Sequence, residues 1–398
     1  MGSIALSRPI ARLAFYAFLV ALPLTTASNL TVGQKYPRTF LRVGPHLGGV
    51  TYDKPVVFSW PEIRNGTFQK AVANRIAEAI PIRPLLIHIN NEMIVQMFGE
   101  VTAPEIFKGA DGQLIERSYL EDYCSRTEGM GAKLAAIALP KLIDIQNYYE
   151  SHGGVFIYVI TPSKAADMPE YFASYLPCAS TPAARTQLVP DYVSALRQAG
   201  IHLVDTASLI HSLKGSYPFD LFPQGGEHWN EVAGARAVSA IVEAINQQAG
   251  HEIIPPFKFT YQMSGVLSGA DRELVNLLNV FFPPLSYQAP KVSFQPSMPC
   301  AESPARQLDV EIVSSSFGHL PARLMIEGNC LARLQLFYYA TLGRFGGEPY
   351  RELQRNLSDS DLNAWRSAKV MILEENESFM ASNKVAYVDQ LRAVLKKP

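Results

Sequence analysis

Three consecutive serines, Ser314 to Ser316, lie between a strand-like stretch at 308–313 and a helix-compatible stretch from Leu320. A serine at a strand-to-helix turn presents its hydroxyl above a sheet, and the N–H groups at the helix start can stabilise an oxyanion. The pattern therefore predicts a nucleophile for acyl transfer, with Ser316 as the first candidate and Ser315 as its rival and as a binding residue. The alternative is a serine-rich turn that only caps the helix.

A histidine occupies a second turn, just before the clearest helical pattern of the chain, in Gly225-Gly226-Glu227-His228-Trp229-Asn230. The two glycines permit a tight turn, and the positive end of the helix dipole lowers the pKa of a nearby histidine, which suits a neutral base. We therefore predict that His228 is the general base and that Trp229 walls the site or lies against a sugar ring. The alternative is a capping histidine beside a core tryptophan.

Alternating strand and helix patterns would position both turns. Residues 155–160 form a continuous apolar run, which is typical of strands buried on both faces of a parallel sheet. Shorter strand patterns lie at 201–204, 308–313, 334–339 and 369–373. The sequence therefore predicts an α/β fold with a doubly wound, mainly parallel sheet flanked by helices, which binds ligands beyond the carboxyl ends of its strands.

Helical periodicity fills the intervals between these strands. Residues 230–247 carry apolar side chains at three- and four-residue steps, and Asn230 occupies the N-cap position. Further helices are predicted at 68–98 with a break near Pro81 and Pro84, at 141–151 after Pro140, and at 191–198. A hairpin is predicted around Asp111-Gly112, and residues 251–306 are interpreted as a long Pro-rich connection with a helical island at 272–281.

The composition and the N-terminus indicate the setting in which the protein acts. The 398 residues include 35 Lys and Arg against 36 Asp and Glu, so the chain lacks the basic excess typical of nucleic-acid binding. Arg8 and Arg12 precede a short apolar run that Pro23 breaks, and small residues follow. This pattern predicts a signal peptide over 1–28 and a periplasmic protein, or a membrane tether if the signal is not cleaved. Residues 29–65 are interpreted as an irregular lead-in and 66–398 as one domain.

Four cysteines, Cys124, Cys178, Cys300 and Cys330, fit an oxidising compartment. Four cysteines allow three pairings, among which the sequence does not choose. The sequence contains no Cys-x-x-Cys motif and no Cys/His cluster with the spacing of zinc ligands, so we expect neither a metal site nor a cofactor.

Several short motifs follow one another between about residues 66 and 380. They are Phe107 to Leu114, Thr161-Pro162-Ser163-Lys164, Val204-Asp205, Gly226-Glu227-His228-Trp229, Ala270-Asp271-Arg272-Glu273-Leu274, Ser315-Ser316-Phe317 and Glu374-Glu375-Asn376-Glu377. In this order they resemble the SGNH-hydrolase-like domain of the alginate O-acetyltransferase type, whose members modify exported polysaccharides. In that family the His-Trp motif precedes the serine motif, which is a permutation of the ordinary SGNH order, and this sequence shares it.

The resemblance implies roles for individual residues. By position, Ser316 matches the family's nucleophile and His228 its histidine. Asn376 stands where ordinary SGNH enzymes offer an asparagine to the oxyanion, with a residue that only caps a turn as the alternative. The family often carries an aspartate two residues before the histidine, where this sequence has Gly226. We name Asp220 as the candidate acid instead, with a backbone carbonyl as the alternative.

The resemblance also implies a function. An acetyl group would pass to Ser316 and then to a hydroxyl of an exported bacterial polysaccharide, with a membrane-bound acyltransferase partner as the source of the acetyl group. A carbohydrate esterase with the same site and a non-catalytic exopolysaccharide-binding or assembly protein are the alternatives. Lys164, after a strand, is a further candidate for substrate binding, with an exposed loop lysine as the alternative.

Overall fold

The computed structural model of this chain describes residues 8–33, 35–49, 58–172, 178, 180–283, 287–339, 343–346, 351–353, 357–380 and 386–396. Contacts divide the chain into two units. The smaller unit takes in the residues up to 104 together with 275–284, and the larger unit takes in 105–274 and 285–398. Every site residue named above belongs to the larger unit, and the proposed boundaries at residues 28 and 65 stay predictions.

A seven-stranded sheet organises the described part of the larger unit. The strands, in chain order, are β1 (Ile106–Lys108), β2 (Leu114–Glu116), β3 (Val155–Thr161), β4 (Leu203–Asp205), β5 (Phe257–Ser264), β6 (Ala289–Pro296), β7 (Val310–Ser314), β8 (Leu334–Tyr338), β9 (Gly343–Gly346), β10 (Arg351–Leu353) and β11 (Val370–Asn376). The sheet has the order β10-β9-β8-β7-β11-β3-β4, in which β8, β7, β11, β3 and β4 run parallel. The predicted α/β class with a mainly parallel sheet is confirmed.

The central strands β3 and β11 are buried at every position. Their register pairs Val370 with Val155 at one end and Asn376 with Thr161 at the other. Strand β11 also runs parallel to β7 on its other side. Because parallel strands end at the same edge, the residues that follow β3, β7 and β11 meet beyond the carboxyl ends of the sheet.

Helices cover both faces of this sheet. The described helices are α1 (Arg8–Ser28), α2 (Trp60–Arg64), α3 (Thr67–Ala79), α4 (Arg83–Phe98), α5 (Arg117–Ser125), α6 (Met130–Ser151), α7 (Lys164–Asp167), α8 (Pro182–Gln198), α9 (Thr206–Ser212), α10 (Glu231–Ala249), α11 (Glu273–Leu277), α12 (His319–Asn329), α13 (Asp359–Ser367) and α14 (Ala386–Leu395). Phe156 packs in a core with residues of α6, α8 and α14, and its neighbour Ile157 packs in the opposite core with residues of α10 and α12. Successive residues of a strand point to opposite faces, so a strand covered on both faces needs apolar side chains at consecutive positions.

The start of α10 fixes the turn that carries the histidine. The Asn230 side chain accepts hydrogen bonds from the amides of Val232 (3.1 Å) and Ala233 (3.0 Å), which confirms the predicted N-cap. Its amide nitrogen also donates to the main-chain oxygen of Asp220 (2.9 Å). The same side chain therefore caps the helix and anchors the loop ahead of it.

Two helices begin earlier than predicted. Helix α6 begins at Met130 and contains Pro140, and α8 begins at Pro182 and contains Pro190. The sequence pattern predicts that the first of these helices begins after Pro140. Buried apolar side chains continue on both sides of each proline, so packing against the core offsets the lost main-chain hydrogen bond.

Residues 251–306 contain a hairpin that the sequence analysis did not predict. Strand β5 pairs with β6 in antiparallel register from Phe257 with Pro296 to Ser264 with Ala289. The proline at the end of β6 is compatible with a two-stranded ribbon, whose outer edges need no ladder partner. The predicted hairpin near 106–115 is confirmed, because β1 and β2 pair across Asp111 and Gly112, which both have positive φ.

The smaller unit contains the helices predicted over 68–98, which are α3 and α4 with a break between Ala79 and Arg83. Helix α1 is largely exposed, and the segment Phe15–Gly33, with 19 residues, is long and apolar enough to cross a membrane. A signal sequence has the same length and composition. The segment therefore fits a signal peptide or an anchor, and export stays a prediction.

Two disulfides resolve the open question of cysteine pairing. Cys124 bonds to Cys178, which ties the end of α5 to the segment before α8, and Cys300 bonds to Cys330 at the end of α12. Both bonds lie in the larger unit. Disulfides of this kind persist in oxidising compartments, which is consistent with the predicted export.

Candidate active site

The serine turn follows β7 at the carboxyl edge of the sheet. Ser315 caps a 3-10 turn over Ser316–Gly318, which leads into α12. The hydroxyl of Ser315 donates to the carboxylate of Glu374 (2.8 Å), its amide donates to the same carboxylate (2.7 Å), and the residue is 1% exposed. The prediction of Ser315 as a rival nucleophile or binding residue does not fit this environment, because a buried carboxylate holds its hydroxyl.

Ser316 has a different environment. It is partly exposed and lines a cavity of about 540 Å³, which His228, Trp229 and Glu273 also line. The hydroxyl of buried Tyr119 is a hydrogen-bond partner of the Ser316 side chain, and burial raises the pKa of this tyrosine well above its usual value. Ser316 and His228, the two residues predicted to react together, therefore line one cavity, but no hydrogen bond joins them, because Nε2 of His228 has no partner among the described residues.

The imidazole of His228 is held by Glu273. Its Nδ1 lies 2.6 Å from Oε1 of Glu273, and the main-chain amides of Glu227 (2.8 Å) and His228 (2.9 Å) donate to the same oxygen. The other ring nitrogen, Nε2, is buried and has no hydrogen-bond partner among the described residues. The ring centroid lies 4.5 Å from that of Phe317, the residue after Ser316. A proton on Nδ1 leaves the lone pair on Nε2, as a general base requires.

Glu273 is the site residue that the sequence analysis missed. It was noticed only as part of the motif Ala270 to Leu274, without a role, because 45 residues separate it from His228 and no local spacing relates the two. The main chain joins the segments: the Leu274 amide donates to the oxygen of Gly225 (3.1 Å). A Cβ atom at Gly226 would lie 1.7 Å from the carbonyl oxygen of Ala270, so only glycine permits this approach.

The electrostatics of this pair differ from the expectation for His228. Burial lowers the pKa of His228, but the negative charge and hydrogen bond of Glu273 outweigh it, so the pKa is raised above its usual value. Burial raises the pKa of Glu273, but His228 outweighs this and the net shift is downward. The predicted lowering by the helix dipole is therefore wrong in sign, because a carboxylate on Nδ1 stabilises the imidazolium more strongly.

Asp220, named as the candidate acid, does not contact His228. Its Oδ2 lies 3.4 Å from the hydroxyl of Tyr171 and 3.4 Å from the amide nitrogen of Gln113. Its main chain is held by Asn230, and its carboxylate lines a separate cavity. Glu273 is the carboxylate that contacts Nδ1 of His228, so the prediction that Asp220 orients the histidine is wrong.

Lys164 lies beneath the histidine loop and is fully buried. Its Nζ donates to the carbonyl oxygens of Leu114 (2.6 Å), Pro223 (2.7 Å) and Gly226 (2.8 Å). Burial lowers its pKa to about 7, although the nearby carboxylates of Glu227, Glu273 and Asp220 oppose the shift. Lys164 therefore lies neither in the cavity nor in an exposed loop, and it holds the main chain that carries His228.

Trp229 is fully buried and packs against Phe317 with ring centroids 6.2 Å apart. It contributes to the wall of the cavity and to the core beneath it. The indole nitrogen has no hydrogen-bond partner among the described residues. Of the two predicted roles for Trp229, the structure supports the wall of the site and offers no exposed ring face for a sugar.

Asn376 is also fully buried, and its amide serves the turn after β3. Its nitrogen donates to the carbonyl oxygen of Pro162 (2.8 Å), and its Oδ1 accepts from the Ser378 amide (3.0 Å). It does not line the cavity that contains Ser316. The oxyanion role carried over for Asn376 therefore does not fit, because its donor group is already committed at the sheet edge.

Charged side chains line the mouth of the cavity as compensated pairs. Lys291 contacts Asp271 (2.5 Å), and Arg323 contacts Glu231 (2.9 Å). Lys291 also lies 3.7 Å from Glu231. Arg323 also lies 3.1 Å from Glu327, so both cations in the lining have carboxylate partners. A serine, a histidine and a carboxylate that binds the histidine are the groups that acyl transfer by a triad requires.

Comparisons with known proteins show similarity only at the level of fold. No protein-family model and no curated protein matches the sequence. The structure is similar to the O-acetyltransferase domain of Pseudomonas putida AlgJ (17% identity, 73% of this chain and 99% of that chain, TM-score 0.45) and to Pseudomonas aeruginosa AlgX (16%, 71% and 67%, 0.45). It is also similar to Bacillus cereus PatB1 (11%, 70% and 98%, 0.42). An O-acetyltransferase domain, the kind of protein that the motifs resemble, is thus among the solved structures similar to this chain.

Proposed function

We propose that this chain is an O-acetyltransferase that modifies an exported polysaccharide through an acetyl-serine at Ser316. One observation carries the proposal. His228 has its Nδ1 on the carboxylate of Glu273 and leaves Nε2 without a partner among the described residues, in the cavity that Ser316 lines. Three side chains from distant parts of the sequence thus supply a nucleophile, a base and an orienting acid.

The first half-reaction forms the acyl-enzyme. The Ser316 oxygen bonds to the acetyl carbonyl carbon of the donor while its proton moves to Nε2 of His228. Glu273 stabilises the imidazolium that results. The main-chain N–H of Ser316 is the candidate donor to the developing oxyanion, since the amides of Ser315 and Phe317 already donate to Glu374 and to the Ser315 hydroxyl. The bond to the leaving group then breaks, and the leaving group takes the proton from Nε2.

The second half-reaction transfers the acetyl group. His228 takes the proton of a sugar hydroxyl, the sugar oxygen bonds to the acetyl carbon, and the bond to Ser316 breaks as the serine recovers its proton. If water enters in place of the sugar, the same steps release acetate and the site is an esterase. We prefer transfer to a sugar over hydrolysis because the motifs resemble those of polysaccharide-modifying proteins. The same resemblance supports a membrane-bound acyltransferase as donor, and the N-terminal segment supports action outside the cytoplasm.

Intact-mass spectrometry after incubation with p-nitrophenyl acetate tests the nucleophile. We expect one acetyl adduct, located by peptide mapping on Ser316 and absent from Ser316→Ala. Ser268→Ala is a matched control, because Ser268 lines the same cavity but lies on a different segment. Folded protein without an adduct, or an adduct that survives in Ser316→Ala, would contradict the proposal and favour the non-catalytic alternative.

Product analysis then separates transfer from hydrolysis. The acetylated enzyme is mixed with oligosaccharides, and acetylated sugar and free acetate are measured by mass spectrometry and enzymatic assay. We expect acetylated oligosaccharide to form faster than acetate. Acetate alone, at a rate that no oligosaccharide changes, would make the protein an esterase.

A further inference from the structure

A second cavity lies on the other side of the histidine loop. Its volume is about 260 Å³, and it shares one lining residue, Asn230, with the cavity that contains Ser316. Its lining includes Tyr171, Phe219, Asp220 and Tyr287. We call it the loop cavity. Asp220, which does not contact His228 and so has no role in orienting it, lines this cavity.

The polar groups of the loop cavity are mainly acceptors. Oδ2 of Asp220 receives only two long contacts of 3.4 Å, and no hydrogen bond to its Oδ1 is found among the described residues. Two lining amides, those of Gln113 and Gln224, each have an Oε1 that is buried and accepts no hydrogen bond in the described part of the chain. Gln113 is only 5% exposed. Buried acceptors without donors are costly, so this lining favours a ligand that brings several donors.

Aromatic rings supply the apolar part of the same cavity. Phe219 is held in place by Tyr217 and Tyr261, with ring centroids 5.4 Å and 5.3 Å away. The hydroxyl of Tyr287 accepts from the Gly225 amide (3.2 Å), which fixes this ring against the histidine loop. Aromatic faces carry partial negative charge and attract the polarised C–H groups of a pyranose ring. Rings beside a few convergent polar groups are typical of a small-molecule site.

We propose that the loop cavity binds a neutral sugar unit of the acceptor polysaccharide, with hydroxyl groups and no carboxylate. The inference deepens the proposed function and depends on it for the identity of the polymer. Hydroxyl donors satisfy Asp220 and the two glutamine oxygens, whereas a uronate would bring a second negative charge to a cavity that already holds a carboxylate. Because one loop separates the cavities, an oligosaccharide can occupy the loop cavity and present another unit to Ser316.

The negative field around Asp220 agrees with this selectivity. Burial raises its pKa first, and the negative charges of Asp167 and Glu170 raise it further against opposition from Tyr171 and Lys214. Like charges disfavour another anion at the same place. A neutral ring avoids that repulsion and still supplies hydrogen-bond donors.

Calorimetric titration of the full chain carrying Ser316→Ala measures binding without turnover. The probes are neutral hexasaccharides (cello-, manno-, galacto- and xylohexaose), a chitosan hexamer and an oligogalacturonate hexamer. We expect at least one neutral hexasaccharide to bind about tenfold or more tightly than oligogalacturonate, a margin of about 1.4 kcal/mol. If none of the neutral probes binds, or if the uronate or amino oligomer binds best, the proposal is overturned.

Two variants connect binding to the loop cavity. Phe219→Ala should weaken the neutral probe about tenfold, as loss of an aromatic face predicts, while Phe282→Ala removes an exposed ring elsewhere and should leave binding unchanged. Asp220→Asn keeps the shape and should reduce the preference for neutral over uronate probes several-fold. An unchanged preference in Asp220→Asn, or unchanged affinity in a folded Phe219→Ala, would place the sugar elsewhere.

The two proposals can fail separately. The acetyl adduct on Ser316 is measured with a small ester and no sugar, and sugar binding is measured in a protein that cannot form the adduct. An adduct without sugar binding overturns the inference alone, and sugar binding without an adduct overturns the proposed catalysis alone.

Discussion

Two acidic segments lie beside the catalytic turns, and their carboxylates have different surroundings. Glu374, Glu375 and Glu377 at the end of β11 are at most 4% exposed, and each is bound by protein donors. Glu273 has a side chain that is 31% exposed and binds the imidazole of His228, whose second nitrogen has no partner among the described residues. The carboxylates of the first segment have protein partners, whereas the second segment binds a histidine that lines a cavity and has one ring nitrogen without a partner among the described residues.

The contrast separates carboxylates that build the edge of the sheet from the carboxylate that is proposed to take part in catalysis. Glu374 holds Ser315, and Glu377 holds Arg126 (3.3 Å) and His211 (2.9 Å). These contacts complete the protein's own hydrogen bonds. Glu273 instead binds a histidine whose other ring nitrogen has no partner among the described residues, which is the arrangement on which the proposed chemistry depends. Burial and charge alone do not identify a functional acid. A better indication is that the acid binds a residue that lines a cavity and has a polar atom without a hydrogen-bond partner.

Glu273→Gln should have the largest effect on activity. Loss of the acid that fixes the tautomer should lower kcat about 10³- to 10⁴-fold. Because Glu273 raises the pKa of His228, its removal should also shift the acidic limb of the pH profile of kcat/KM to lower pH. Glu170→Gln, at an exposed carboxylate paired with Lys214, is the control and should change neither quantity. Equal rates in the two variants would remove Glu273 from the mechanism.

Glu377→Gln should have the largest effect on stability. Breaking this buried ion pair leaves Arg126 with only its longer contact to Asp122 (3.6 Å), so the free energy of unfolding at pH 7 should fall by about 3 kcal/mol. Although burial raises the pKa of Glu377, His211 and Arg126 lower it to about 2, below the ordinary value of 4.5. The stabilisation is therefore present above pH 4.5 and lost as the pH falls towards 2.

Denaturant titrations at pH 7 and at lower pH measure this effect. The difference between wild type and Glu377→Gln should narrow over the acidic range. The surface variant Glu150→Gln, whose partner is exposed His202, should cost less than about 1 kcal/mol. If Glu377→Gln were as stable as the surface variant, the ion pairs of Glu377 would not stabilise the fold.

Lys164→Met tests whether the clamp beneath the loop positions the base. The variant keeps the length of the side chain but leaves three carbonyl oxygens without their donor, so His228 should lose its placement and kcat should fall about 10²-fold. KM for a small acyl donor should change little, and circular dichroism should show a folded protein. Lys214→Met, at an exposed lysine, is the matched control. A parallel loss of stability with no change in kcat would make Lys164 purely structural.

Asn376→Ala should have the smallest effect of the four. Loss of its hydrogen bonds to the turn after β3 should lower the free energy of unfolding by about 1–3 kcal/mol. The acylation rate should fall less than about tenfold, whereas removal of an oxyanion donor typically costs about 10²- to 10³-fold. Stopped-flow acylation and denaturant titration measure the two quantities. If the acylation rate fell about 10²-fold or more, Asn376 would have the oxyanion role that the resemblance implies.

Much of the sheet could be predicted from the sequence because burial alone decides its pattern. The apolar run at 155–160 and the periodic stretch at 230–247 became β3 and α10. The hairpin formed by β5 and β6 was missed because its strands lie far apart in a Pro-rich stretch. Although β5 alternates apolar and polar residues, β6 alternates only weakly in burial. Helix α6 was cut short because a proline that packing tolerates was interpreted as a boundary.

The candidate site could be predicted only in part for a related reason. Ser316 and His228 lie next to the ends of regular elements, where residue type and position are informative. The acid is brought to His228 by main-chain contacts between segments 45 residues apart, which no local pattern records. Lys164 and Asn376 were recognised as unusual polar residues, but their partners are carbonyl oxygens, which any residue supplies.

The close approach at Gly226 has a consequence for how this triad can change. An aspartate two residues before the histidine would need a Cβ atom where the carbonyl of Ala270 now stands, 1.7 Å away. The local acid and the distant acid therefore exclude each other, since the first would push aside the segment that delivers the second. Replacement of Gly226 by aspartate can therefore supply a local acid only by displacing the segment around Ala270, on which Glu273 depends for its place beside His228.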